Sequence, residues 1–304
     1  MNEVEIVHIF TSKEGGGNPA PIVIDANGLD DARMTAIAKK YGHESGFVFS
    51  PEDPSVNDYQ FKFFVPRHEM SMCGHATIGA VWLLRKHGRL TSNRISIQTL
   101  SGTVVAHIDD QKHGDAFIEI SQPAGTLSEF TDPDTRREII RAIGLEPADI
   151  LNVPFLNSST SRVKTLIPII SPSRLDAAKP DSERIERLCE QIGSTGLYLF
   201  SQDPDTHRKF DARQFPKSSG YPEDAATGIA ATALAFGLLH YGMINVSEEP
   251  ILVHQGRAMG RPSNIHVRFD LASEFASYPI GCFVGGTVSI ADETDFHGQE
   301  KNGD

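Results

Sequence analysis

Two stretches of this chain are apolar on every side, and they limit the possible fold more than anything else in it. The first runs from Ala76 to Leu84, the second from Ala225 to Leu239. A helix without a polar face must be buried all round. Both stretches are interrupted by Thr and Gly and fall short of the roughly 20 apolar residues of a membrane span. Each must therefore be enclosed by other parts of the same chain. A sheet encloses a helix only by curling around it.

The two stretches repeat one another. A shift of 150 residues carries Ala76-Thr77-Ile78-Gly79-Ala80 onto Ala226-Thr227-Gly228-Ile229-Ala230. The same shift carries Gly46 to Ser50 onto Gly196 to Phe200, Pro66 onto Pro216 and Asp31 onto Asp181. Several matches in one register indicate a duplicated unit of half the chain, and 304 residues accommodate two ordinary domains. The expected fold is α+β: two similar domains, each a curled, mostly antiparallel sheet or barrel around a central apolar helix. The first is expected over 1–124 around a helix at 76–87. The second is expected over 125–291 around a helix at 225–241, with its last strand, near 283–290, packing back on the first domain. Residues 292–304 are polar and acidic and read as a disordered tail.

Composition removes several function classes. The net charge is −12 and no basic cluster is present, which disfavours a nucleic-acid groove. No stretch reads as a membrane anchor, and the N-terminus lacks the order of a secretory signal. Three widely spaced Cys form no disulfide framework or zinc knuckle. A reducing cytoplasm fits best.

Where the two halves differ beside their helix N-termini, chemistry is the better explanation. In the 150-residue register Glu44 faces Ser194, Cys73 faces Glu223, Gly74 faces Asp224 and His75 faces Ala225. One tip thus offers Glu44, Cys73 and His75, the other Glu223 and Asp224, and both are expected at an interdomain cleft, where ligands commonly bind. Each has a plainer reading. Glu44 is either a solvated loop carboxylate or, if desolvated, a general base near neutral pH. His75 is a cap or core histidine, or a proton donor. Cys73 is a small buried residue, or a thiolate favoured by the helix N-terminus. Asp224 is a helix cap or a catalytic group. Thr227-Gly228-Ile229 either packs closely or offers N–H groups to a carboxylate. Arg261, in the Gly-rich loop Gln255 to Ser263 with Arg257, is a surface residue or faces substrate. His68, Cys73 and His75 fit no standard metal spacing, so no metal is expected.

These stretches resemble the PhzF-like family of phenazine-biosynthesis isomerases, which have the diaminopimelate-epimerase fold. The resemblance is carried by Phe10-Thr11 with Gly17-Asn18-Pro19, Glu44-Ser45-Gly46-Phe47-Val48, Glu69-Met70 through Cys73-Gly74-His75-Ala76-Thr77, Glu223-Asp224-Ala225-Ala226-Thr227-Gly228, and Gln255-Gly256 with Met259 to Ser263. It implies a proton shift without cofactor, in a homodimer, on a small carboxylate-bearing substrate. It makes Glu44 the acid/base, assisted by His75 and Asp224. It places Gly74 beside the substrate, with Asn18, Ser45 and Thr227 to Ile229 lining the site. Cys73 and Arg261 complete the expected substrate contacts. Ala225 departs from the family pattern, in which a Pro often follows the Asp. The related epimerases carry a Cys at each helix tip; here the second tip has none, which favours an isomerase over a two-thiol racemase. An epimerase using Cys73 with a carboxylate, and a binding protein without catalysis, remain as alternatives.

Overall fold

The structure, a computed structural model, describes residues 3–13, 15–110, 116–218, 221–273 and 275–291. The tail expected at 292–304 lies outside them. The chain divides into two compact units. One comprises Met1–Thr11, Gly17–Ser121 and Gly285–Asp304; the other comprises Ser12–Gly16 and Gln122–Val284.

The first unit opens with the antiparallel pair β1 (Glu5–Ile9) and β2 (Asn18–Val23). Helix α1 (Asp31–Tyr41) then crosses to β3 (Ser45–Phe49), which runs parallel to β2. Asp30 caps α1 by accepting from the Arg33 N–H, and Gly42 closes it in the left-handed conformation. Strand β4 (Tyr59–Val65) turns back on β3 and pairs with the short β5 (His68–Met70). Helix α2 (Gly74–Lys86) leads to β6 (Arg94–Thr99), parallel to β4. β7 (Gly102–Asp109) and β8 (Phe117–Pro123) continue antiparallel. On the far side, β17 (Val288–Ile290) pairs with β1.

Helix α2 is the apolar helix of the sequence. Every residue from Gly74 to Leu84 is buried, and only the end carries charge, at Arg85 and Lys86. It packs on β1, β2, β3 and β17. Each buried Leu, Ile or Val side chain contributes about 1.5–3 kcal/mol, so the helix and its curled sheet stabilise each other. The outer face of β3 and β4 is covered by α1, where Met34 and Ala38 meet Phe47 and Phe64.

The second unit repeats the plan. β9 (Thr126–Phe130) pairs with β10 (Phe155–Ser159), and β10 with β11 (Lys164–Pro168). Helices α4 (Pro172–Asp176) and α5 (Ser182–Gln191) cross to β12 (Gly196–Gln202), parallel to β11. β13 (Lys209–Pro216) returns antiparallel, and α6 (Gly228–His240) crosses to β14 (Ile251–Gln255), parallel to β13. β15 (Ser263–Asp270) pairs with β14, and β16 (Gly281–Gly286) follows. Besides α4, a second helix has no counterpart among the described residues of the first unit: α3 (Pro133–Ala142) joins α5 over Leu197, Leu199 and Phe215. Helix α6 is buried from Ala230 to Leu238, against β9, β10, β11 and β15.

Both central helices start elsewhere than the sequence suggests. α2 begins at Gly74 rather than 76, and α6 at Gly228 rather than 225. The reason for the second lies at Asp224. Its N–H donates to Gln214 O in an isolated antiparallel bridge, so the chain stays extended through Thr227 (φ −129°, ψ 90°). Among the described residues no helix is long and apolar enough to cross a membrane. All three cysteines are free and buried.

Candidate active site

In the first unit one tip gathers three ionisable groups. Glu44 lies just before β3, and Cys73 is the residue before α2. Gly46, two residues on, allows this approach. A Cβ there would stand 2.8 Å from Ile22 Cδ1 and 3.4 Å from the Cβ of Ala76, in the first turn of α2. The Cys73 thiol donates to Glu44 Oε2 at 3.4 Å. Glu44 Oε2 is also 3.5 Å from His75 Nε2. Cys73 Sγ lies 3.5 Å from His75 Nδ1 and 3.8 Å from Nε2. One carboxylate oxygen therefore meets both the thiol and the imidazole.

Exposure differs across the three. The Glu44 side chain is 28% exposed, that of His75 10%, and Cys73 is buried. The carboxylate is the member that a solute can reach. The N–H groups of Gly74 and His75 precede the first intrahelical bond, from Thr77 N–H to Cys73 O. Such N–H groups, at the positive end of the helix, suit an anion. Gly74 is buried, and a Cβ there would meet only Ile120 Cδ1, at 3.8 Å.

Ser45 and Asn18 are the first residues of β3 and β2. The buried Ser45 hydroxyl donates to His43 O, and Asn18 pairs with Ile9. The Ser45 hydroxyl thus holds local backbone. His68 is exposed on β5 and stands apart; the donor set that the fold assembles is Glu44, Cys73 and His75, not His68, Cys73 and His75.

At the second unit's tip the carboxylate is held by a network. The Thr227 hydroxyl donates to Asp224 Oδ2. Gln255 Nε2 donates to Asp224 O at 2.7 Å and to Thr227 Oγ1 at 3.1 Å, while its Oε1 accepts from the Thr227 N–H and the Tyr198 hydroxyl. Gln255 and Tyr198 are fully buried, and burial holds the Tyr198 hydroxyl protonated well above its ordinary pKa. Gly256, at φ 79°, follows Gln255 because a Cβ there would lie 2.2 Å from Arg261 O and 2.7 Å from Ala225 O. In the sequence Gln255 stands out only as part of a motif and Tyr198 only within the repeated stretch Gly196 to Phe200, neither as a site residue. The signal for Tyr198 is a hydroxyl set within the apolar run Leu197 to Phe200.

Three expectations need correction here. Asp224 does not cap α6; Thr227 occupies that position, without a side-chain cap bond. Glu223 is no free acid–base group, because Arg213 holds it in a two-bond ion pair at 2.9 and 2.7 Å. Both side chains are about nine-tenths buried, and Arg213 also donates to Leu175, Asp176 and Ala178 carbonyls. Arg257 is tied to Asp211 and Asp176. Arg261 lies half-exposed in the loop before β15.

The model of the phenazine biosynthesis-like protein family matches residues 7–281. The chain is 31% identical over 293 residues to the uncharacterized isomerase YddE of Escherichia coli K12, covering 95% of this chain and 96% of that one. It is 28% identical over 264 residues to the trans-2,3-dihydro-3-hydroxyanthranilate isomerase of Pseudomonas fluorescens, covering 86% and 88%. Among solved structures, a PhzF-family phenazine biosynthesis protein of Bacillus anthracis superposes with a TM-score of 0.84 at 28% identity, covering 95% and 96%.

Proposed function

The chain belongs to the phenazine biosynthesis-like protein family and is an isomerase, and from that premise we propose that it moves one proton within a small carboxylate-bearing substrate, with Glu44 as the base and then the acid. The observation that carries this reading is the position of Glu44. Its carboxylate is in contact with both Cys73 and His75, and it is the most exposed of the three. Its carboxylate takes a proton from one carbon of the substrate. The resulting carboxylic acid returns it to another carbon on the same face as the double bond shifts, so nothing is oxidised or reduced and no cofactor enters. His75 holds the substrate and the carboxylate in place. Asp224 is assigned to the same reaction. The N–H groups of Gly74 and His75 and those of Gly228 and Ile229 bind the substrate carboxylate. Asn18, Ser45, Cys73, Thr227 and Arg261 complete the contacts.

The named substrate of the Pseudomonas relative is a cyclic amino acid. It supports a ring-bearing or amino-acid-derived substrate here. The working form is a cytoplasmic homodimer in this reading, which sedimentation and cell fractionation test.

A second reading follows from the thiol contact at 3.4 Å. Cys73 and Glu44 would then serve as two bases of an epimerase. Cys73→Ala separates the two, being mild for a one-carboxylate isomerase and severe for the epimerase.

The experiment is a metabolite screen in heavy water by mass spectrometry, wild type against Glu44→Gln. A compound that gains one deuterium only with the wild type supports Glu44 as the base. Exchange that survives in the variant moves the base to Cys73 or Asp224. Binding without exchange leaves a binding protein.

A further inference from the structure

Glu44, Cys73 and His75 offer one oxygen, one sulfur and one nitrogen, all within 4.8 Å of one another. The three edges are 3.4 Å from Sγ to Oε2, 3.5 Å from Oε2 to Nε2 and 3.8 Å from Nε2 to Sγ. In tetrahedral zinc sites Zn–S is about 2.3 Å and Zn–N or Zn–O about 2.0–2.1 Å, which sets donor–donor edges of about 3.3–3.6 Å. A triangle with the observed sides has a circumradius of about 2.1 Å, so one point just off its plane lies at coordination distance from all three donors.

The donor types narrow the ion. Thiolate and imidazole exclude Mg2+ and Ca2+, which take oxygen. One S, one N and one O suit Zn2+ or its spectroscopic substitute Co2+. The thiol and the imidazole are held in place by burial, and the carboxylate faces outward as an entry side.

We infer that Glu44, Cys73 and His75 form a reversible Zn2+ site whose occupation switches the isomerase off. Binding displaces the thiol proton to solvent and ties Glu44 Oε2 to the cation, whose charge lowers the basicity of the whole carboxylate, so Oε1 also ceases to take a proton from substrate. The binding part stands on geometry alone. The switch rests on the reading of Glu44 as the base.

The test uses the full chain, first with Co2+ alone. The wild type should bind one equivalent and show a thiolate-to-cobalt charge-transfer band. Zn2+ should displace the cobalt and remove the band. Cys73→Ser should abolish the band, and Glu44→Gln should weaken binding at least about tenfold. His68→Ala, outside the cluster, should leave both unchanged. Circular dichroism of each variant guards against misfolding. In the heavy-water assay, Zn2+ should stop exchange and a chelator should restore it. Absence of the band in the folded wild type, or its persistence in Cys73→Ser, overturns the site. Bound zinc with exchange undiminished overturns the switch. Loss of exchange in Glu44→Gln is scored without metal, so the catalytic reading stands or falls separately.

Discussion

Cys73 and Thr227 hold equivalent places in the two halves. Each is the residue before a 13-residue helix that begins with Gly, each has an extended backbone (φ −135° and −129°), and neither makes a side-chain cap bond. The helix starts are 154 residues apart, whereas Gly46 and Gly196, the positions after Ser45 and Thr195, are 150 apart. Three of these four extra residues lie in the β12–β13 hairpin and the fourth between Gln214 and Gly228. Val48 pairs with Phe61 and Tyr198 with Gln214, so the second hairpin is three residues longer. A thiol at one tip therefore corresponds to a hydroxyl at the other, not to a carboxylate.

That hydroxyl has a definite task. Thr227 donates to Asp224 Oδ2 and accepts from Gln255. Thr227→Val keeps the shape and removes the donor, and with Asp224 in the reaction it should lower kcat about tenfold or more, while Thr227→Ser stays near wild type. Steady-state exchange kinetics decide it. Equal activity of the Val and Ser variants would remove Asp224 from the proposed machinery.

The pair Arg213–Glu223 should behave as structure. Glu223→Ala leaves a buried guanidinium that still holds three carbonyls of the α4 region but has lost its counter-charge. Breaking such a pair costs about 3–5 kcal/mol. Urea unfolding should show that loss, with turnover per folded molecule preserved. A fall in turnover at full folding would return Glu223 to the list of acid–base groups.

The sequence made the two central helices and the duplicated strands legible because an all-apolar helix permits few neighbours. Gly46 and Gly196 each stand five residues past the end of the preceding helix, α1 at Tyr41 and α5 at Gln191, whereas the N-caps Asp30 and Asp181 are 151 residues apart. The helix tips were misread for a physical reason. Ala76-Thr77 and Ala226-Thr227 match as letters. In space, however, Asp224 is held back in a β-bridge to Gln214 and the helix waits until Gly228. An ungapped register cannot see a hairpin that grows by three residues. Glu223 shows the other limit: its partner Arg213 is ten residues away on β13, and no spacing rule announces a cross-strand ion pair.

Cys189 gives a pH dependence. Burial pushes its thiol from 9.0 up to about 11, although Lys164 and a Ser194 hydrogen bond oppose the shift. The folded-state pKa of an acid is raised, so the folded and unfolded thiols are both neutral below pH 9. Between about 9 and 11 the unfolded chain ionises and the native one does not. Stability should therefore fall with rising pH across that window, by about 1.4 kcal/mol per unit at most. Cys189→Ala removes this part of the alkaline limb. Urea midpoints from pH 8 to 11 measure it, and identical slopes for the two proteins would contradict it. Burial raises the Cys282 thiol as well, so it adds to the limb without altering the difference between these two proteins.

Gln255 and Tyr198 provide the sharpest test of the second tip. The Tyr198 hydroxyl donates to Gln255 Oε1 at 3.0 Å inside the core, and the same oxygen receives the Thr227 N–H. Gln255→Leu strands a buried hydroxyl and three groups of the Asp224–Thr227 turn, the Asp224 carbonyl and the Thr227 hydroxyl and N–H, which should cost about 1–3 kcal/mol. Tyr198→Phe removes a donor and leaves Gln255 with its other bonds, so it should cost less, about 0.5–1.5 kcal/mol. The double variant should fall short of the sum by about 0.5 kcal/mol or more, because the stranded hydroxyl is gone. Activity should part from stability in this cycle. Tyr198→Phe leaves all three Gln255 bonds to the turn in place and should keep kcat within about twofold. Gln255→Leu frees the Asp224 carbonyl and Thr227 at once and should lower kcat in the single and double variants alike. Additive stabilities would deny that the two side chains share a bond, and an equal kcat loss in Tyr198→Phe would place the tyrosine, rather than the glutamine, in control of Asp224.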